Sequence, residues 1–476
     1  MCVSWEGTVL QVPFVHMGAQ VGMAANTSSI HVRISQVSCA STNVPQYFPA
    51  ISHAVINGSF DRGVSDSMWT TFYVDANGNA TRERPFAFPP PNQPFVAEAK
   101  AFYDVLGESP SLTVVAQANS SQFHEAGVYV PATNEVYFTS NILNTTDTSG
   151  EYTYPIFSSL SKISLNATNE TYHWEVVPQP SPQFVLPNGG TYYNGKVLMA
   201  TQGYQLDTPS ALITVDPITK RAETLLNNFY GRPFNSMNDV AVLTRGRNAE
   251  TPVDDQWVFF TDPAYGYYFQ HFKPYPRLPS QVYAFHPPTG TIRVVADGLQ
   301  KPNGIQFAPD MKTCYISDTG FLSNDPADPA PRDGSGPGTI YAYDVVHPVS
   351  GSDPTTNPPA LINKRLFAFT DNATPDGIKV DTEGNVYGGC FDGVHVSIFS
   401  YPTLVKLEIK IRIKVWNKNG ALLGKILLGL EIASNVPGVP EGRGCANLVF
   451  VPGGLLMFSE DRMYLAKIKA KGALLP

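Results

Sequence analysis

Lys301-Pro302-Asn303-Gly304-Ile305-Gln306-Phe307, followed after a short gap by Cys314-Tyr315-Ile316-Ser317-Asp318, reads as a polar start, an apolar strand and a second apolar strand. The layout recurs. His124-Glu125-Ala-Gly-Val128 precedes Glu135-Val-Tyr-Phe-Thr139, and Met237-Asn238-Asp239-Val-Ala-Val242 precedes Gln256-Trp-Val-Phe-Phe-Thr-Asp262. Pro375-Asp376-Gly377-Ile-Lys-Val380 precedes Asn385-Val-Tyr-Gly388. With Asn188 and a last start near Ala446, the unit starts lie 63, 50, 65, 73 and 70 residues apart. Six units of blade size predict an all-β chain: a six-bladed β-propeller over residues 86–476, preceded by an irregular extension, 1–85. Two β-sandwiches would not explain why the polar start repeats.

Bulk composition agrees. Charged residues are 15% of the 476 and hydrophobic ones 43%, with 41 Pro and 38 Gly, a profile of short strands and turns. A net charge of −8 argues against nucleic acid or an anionic membrane as partner, and no stretch is long and apolar enough for a transmembrane helix. The five cysteines form no C-x-x-C pair, which argues against a thiolate zinc site and leaves room for one disulfide. Asn26, Asn57, Asn79, Asn119, Asn144, Asn166, Asn169 and Asn372 each open an N-glycosylation sequon. They predict a secreted glycoprotein, although residues 8–25 do not form a clean signal peptide.

Two segments interrupt the pattern. Residues 322–359 carry eight prolines and read as a long surface loop plus a strand over Thr339–Val345. In the fifth unit, Gly393-Val-His-Val396 continues naturally into Trp416-Asn-Lys-Asn-Gly420, but residues between them include the alternating run Lys406-Leu-Glu-Ile-Lys-Ile-Arg-Ile-Lys414. As protein, that run is a half-exposed strand. The alternative hypothesis is a short unspliced intron over 396–414: Val396-Ser397 can be encoded by GTAAGT and Lys414 by AAG. Its removal preserves the reading frame and shortens the last spacing from 70 to 51.

In a propeller the innermost strands converge on the axis, so Glu125, Asn238, Asn303 and Asp376 are expected to meet at its mouth. Two carboxylates and two amide carbonyls are hard oxygen ligands, suited to Ca²⁺, with Zn²⁺, Mg²⁺ or Mn²⁺ as alternatives. Any one of them alone reads as a turn residue; four at equivalent places read as a site.

Asn238-Asp239, Thr261-Asp262-Pro-Ala-Tyr-Gly266, Lys301-Pro-Asn303-Gly with Pro309-Asp310 and Tyr315-Ile-Ser-Asp318, and Pro375-Asp376-Gly377 together resemble the senescence-marker-protein/gluconolactonase family. The likeness is to its fungal lactonohydrolase branch and runs from about Phe123 to Ile468. It implies a divalent metal on Glu125, Asn303 and Asp376, with Asn238 and Asp239 touching substrate or completing the metal shell. Ser236 stands where the family often has an arginine that contacts substrate. The implied reaction is hydrolysis of a small lactone, such as gluconolactone or pantolactone, with Asp376 as general base. A phosphotriesterase-like hydrolase and a non-catalytic calcium- or ligand-binding propeller are the alternatives.

Other residues carry weaker signals. His124 is expected to be structural, because strand neighbours face opposite ways, while His271 and His395 are candidate proton shuttles. Asp262 and Asp318 read as turn caps. Tyr265, Tyr267, Tyr268 and Phe269 read as a lid or as core. No Gly-x-Ser-x-Gly elbow suggests serine-hydrolase chemistry.

Overall fold

The computed structural model describes residues 94–145, 154–168, 171–180, 184–244, 255–269, 271–322, 335–370, 374–391, 412–429 and 444–473, with strand fragments at 46–47, 73–74, 80–81, 432–433 and 440–441. These belong to one unit, Asn43–Pro476. Most of the extension 1–85, His395 and residues 392–411 lie outside the described residues.

Six blade sheets are present among the described residues: five are four-stranded and antiparallel, and that of blade V has two further strands at its outer edge. Their inner strands are Glu125–Val130, Pro187–Tyr193, Val240–Leu243, Pro302–Phe307, Thr374–Val380 and Leu448–Val451, of blades I to VI. Each inner strand touches the next, and that of blade VI returns to that of blade I. The ring is the predicted six-bladed propeller.

The ring closes on a strand that sequence reading did not anticipate. Ser111–Gln117 pairs with Arg462–Lys467 and becomes the outermost strand of blade VI. Just before it, Phe95–Ala97 edges blade V and the short helix Phe102–Leu106 buries Phe102, Val105 and Leu106 against blades V and VI. The strand expected in the proline-rich segment is present as Thr339–Val346, third in blade IV. Arg412–Trp416, at the end of the suspect segment, is the third strand of blade V, with Lys414 opposite Gly388.

Blades present apolar side chains on both faces, so their strands read as continuous apolar runs. In Glu135–Thr139, Val136 and Phe138 pack toward blade VI with Leu456 and Phe458. Tyr137, between them, packs toward blade II with Val197 and Met199. Full burial of a side chain such as Phe138 contributes roughly 1.5–3 kcal/mol.

The polar starts are β-bulges. Register slips between Ala126 and Val128, Pro187 and Gly190, Pro302 and Ile305, and Pro375 and Ile378, at the same place in blades I, II, IV and V. A bulge re-aims a side chain away from the alternation of its strand. In blades II, IV and V the glycine after the polar residue is there for close approach. A Cβ on Gly304 would lie 2.3 Å from the Asp376 carbonyl oxygen, and one on Gly377 would lie 2.4 Å from the Asn447 side chain. Each bulge is thereby pressed against the polar start of the next blade.

Candidate active site

Two hydrogen-bond systems hold the polar starts in place. In blades III and IV, the aspartate ending the second strand caps the segment that leads into the polar start. Asp262 accepts the Asn235 and Ser236 N–H groups, each at 2.9 Å. Asp318 accepts those of Gln300 and Lys301, at 2.9 and 2.8 Å. The expected turn caps are therefore what orient Asn238 and Asn303. Burial raises the Asp262 carboxyl to about 7, although both backbone bonds favour its charged form.

The second system links blades, and sequence reading missed it. A small hydroxyl near the end of a second strand donates to the carbonyl of the next blade's polar start. Thr139 bonds Asn188, Thr261 bonds Asn303 and Ser317 bonds Asp376, at 3.0, 2.8 and 2.8 Å. The signal was available: Thr139, Thr201, Thr261, Ser317, Cys390 and Ser459 occupy the same place in successive units.

The predicted set is distributed as follows. Asn303 hydrogen-bonds Asp376, and its Nδ2 also donates to the Tyr265 hydroxyl at 3.0 Å. Tyr265, which also bonds Thr319, is therefore part of the inner wall. Burial, the Glu125 charge and the Asp239 charge hold the Asp376 carboxyl well above the usual carboxylate range, against the opposing pull of His124 and Asn303. Glu125 is buried and accepts Asn447 Nδ2 at 2.8 Å. The next residue, Ala126, has φ 71°, a left-handed backbone that is strained for a residue with a Cβ.

Within the predicted set of Glu125, Asn238, Asn303 and Asp376, two enclosed acceptors have no hydrogen-bond partner: Asn238 Oδ1 and Asp376 Oδ1. A buried oxygen without a donor is costly, and a cation is one species that satisfies such oxygens. The donor set of Glu125, Asn238, Asn303 and Asp376 fits a hard divalent ion on that ground. Among the described residues, no group of three or more His, Cys, Asp or Glu side chains forms a metal cluster, so a site here depends on the two amides.

Ser236 and Asp239 are enclosed. The Ser236 hydroxyl accepts the Gly266 N–H at 2.9 Å. Asp239 accepts the N–H groups of Val240 and, in blade IV, Ile305, at 2.9 and 3.2 Å, and burial raises it to about 6. Both side chains shape the loop around Asn238.

His124 is not a bystander. Its Nδ1 lies 2.7 Å from Glu460 Oε1, and the ring interacts electrostatically with both Glu125 and Asp376. Burial is the largest influence and opposes its charge, but the Glu460, Glu125 and Asp376 carboxylates together bring it up to about 9. Burial would raise Glu460, but His124 holds it down at about 2. His271 is exposed. In the aromatic group, Tyr265 packs on Phe269 at 5.2 Å and Tyr267 on Tyr268 at 5.0 Å, and only Gly266 of the short helix is buried.

Fold and site define a six-bladed propeller with an oxygen-lined axial cluster. A family model described as SMP-30/Gluconolactonase/LRE-like region matches residues 165–322. Lactonohydrolase oryL of Aspergillus oryzae is 30% identical over 388 residues, covering 78% of this chain and 80% of that protein. Lactonohydrolase oryH of the same fungus is 27% identical over 354 residues, covering 62% and 69%. The solved structure of XC5397 from Xanthomonas campestris, described as a gluconolactonase, shares the fold with a TM-score of 0.52 at 20% identity. That match covers 80% of this chain and 97% of the other. The chain belongs to the SMP-30/gluconolactonase family.

Proposed function

We propose that the protein is a metal-dependent lactonase that opens the ring of a small lactone, an aldonolactone or a related hydroxy-lactone, to the hydroxy acid. The observation that carries the metal is the pair of enclosed, partnerless oxygens on Asn238 and Asp376, beside Glu125 and Asn303. The activity is supported by the lactonohydrolase relatives. Glu125, Asn238, Asn303 and Asp376 would hold the ion, Ca²⁺ first among the candidates. When bound, the ion supplies Lewis-acid polarisation of the ester carbonyl.

The chain's own residues do the rest. Asp376 is the proposed general base, accepting a proton from the attacking water through a carboxylate whose other contacts are held by Asn303 and the Ser317–Asp376 backbone bond. Asn238 offers its side chain to substrate, while Ser236 and Asp239 fix the loop that presents it. The aromatic group at Tyr265–Phe269 supplies an apolar wall beside Asn303. Secretion is part of the same proposal: the sequons at Asn119, Asn144 and Asn166 are exposed, and a glycosidase-sensitive mass would support it.

The deciding experiment is hydrolysis of a panel of aldonolactones, pantoyl-type lactones and organophosphate triesters, before and after chelation, with Ca²⁺, Zn²⁺, Mg²⁺ or Mn²⁺ returned singly. Lactone cleavage that is lost with chelator and restored by one ion supports the reading. Faster triester cleavage transfers it to phosphotriester hydrolysis. Ion binding without any hydrolysis leaves a binding propeller.

A further inference from the structure

Asn447 follows the blade VI start Ala446 and takes the place that Asp239 holds in blade III: the side-chain oxygen of each accepts the N–H of the next residue, Leu448 or Val240. Asn447 is fully buried. Its Oδ1 accepts two donors, the Leu448 N–H at 2.8 Å and the Lys379 ammonium at 3.2 Å. Both can only donate, so they fix which end of the amide is oxygen. Nδ2 is consequently turned to Glu125 Oε2, 2.8 Å away and 322 residues distant in sequence. Gly377 lets the amide pack closely: a Cβ there would lie 2.4 Å from it.

Glu125 needs such a partner. Among the described residues its other hydrogen bond is a 3.3 Å one from the neighbouring Ala126 N–H, on a strained bulge. Lys379, itself on the inner strand of blade V and electrostatically coupled to Asp239, is the fixed charge that holds the donor end of Asn447 toward the carboxylate.

We propose that Asn447 is a positioning residue that acts on the divalent ion through Glu125, with Lys379 and the Leu448 N–H locking its orientation. The proposal rests on the metal reading given above. Its reach is the geometry of one carboxylate: the hydrogen bond leaves Oε1 as the oxygen with unrestricted capacity toward a cation. Partners that orient metal-binding groups commonly change affinity by about 10–100-fold when removed.

The test is calorimetric titration of Ca²⁺ into chelator-treated full-length protein, for wild type, Asn447→Leu, Glu125→Asp and the double variant. Leucine keeps the branched shape and heavy-atom count of asparagine and changes no charge. Asn447→Leu is expected to weaken Ca²⁺ by about tenfold or more, with a cooperative melt in the metal-free state. In the Glu125→Asp background, where the shorter carboxylate no longer meets Nδ2, the same substitution is expected to cost less than about twofold. If Asn447→Leu does not fold, Asn447→Thr is carried through the same cycle with the same expected outcome. Equal affinity for wild type and the Asn447 variant, or fully additive losses, overturns the proposal alone. A wild type that binds none of Ca²⁺, Mg²⁺, Mn²⁺ or Zn²⁺ overturns the metal reading and this proposal with it.

Discussion

Blades II and IV place the same residue, asparagine followed by glycine, at the same bulge, and the two side chains meet different ends. Asn188 of blade II donates to the Asn238 carbonyl and accepts from Gln202, at 3.3 and 3.4 Å. Asn303 of blade IV is held through its Nδ2 by Tyr265 and lies against Asp376. One amide fastens neighbouring blades together; the other is oriented within the cluster of acceptors. The motif fixes where a side chain begins, and the donors around it decide what that side chain is free to do.

The largest expected effect tests the carboxylates, which have no counterpart in blade II. Asp376→Asn and Glu125→Gln should each lower lactone turnover by about 10³-fold, with circular dichroism and cooperative melting retained. Near wild-type turnover in either would remove that residue from the chemistry. The comparison itself is tested next: Asn303→Ala should weaken Ca²⁺ by ~100-fold. Asn188→Ala should change it by less than about threefold, under ~0.7 kcal/mol. Similar losses in the two would show that the amides do the same work.

Smaller in effect on binding, the His124–Glu460 pair should appear as stability. Glu460 is held at about 2 against an ordinary 4.5, so its contribution is present above about pH 4.5 and is lost as pH falls through about 2. Glu460→Gln should therefore destabilise by ~3 kcal/mol at pH 7, with the gap to wild type narrowing in acid. A gap that is constant down to pH 2 would mean that the substitution acts by packing. The smallest effect is expected from removing residues 396–414. Gly393-Val394-His395-Val396 repeats the apolar alternation of Arg412-Ile413-Lys414-Val415, so the shortened chain should keep its third strand in blade V and melt no lower. Transcript sequencing gives the independent reading: spliced message that retains those codons ends the intron hypothesis.

How much the sequence disclosed follows from the physics of each feature. Repeating apolar strand pairs and their spacing are local, and they suffice for blade number and for the polar starts Glu125, Asn188, Asn238, Asn303 and Asp376. The closing strand Ser111–Gln117 was not legible, because its partner Arg462–Lys467 is at the other end of the chain and the strand itself has no distinctive pattern. Lys379 and Asn447 were hidden for a similar reason: a lysine on an inner strand reads as a solvated position until the donor geometry around Asn447 is known. Asp262 and Asp318 were legible as caps, but what they cap became visible only in three dimensions.

The strand exchange that completes blade VI also sets an order of events during folding. Thr113 meets Leu465 across 352 residues, so nearly the whole polypeptide must be in place before the last sheet can zip. The Asn447–Glu125 bond crosses that same seam. Earlier blades can form as they emerge, but the cluster at the axis is unfinished until both ends of the chain are joined. A nascent or prematurely terminated chain would therefore carry most of a propeller and no complete site, so assembly of the ring itself delays the onset of activity.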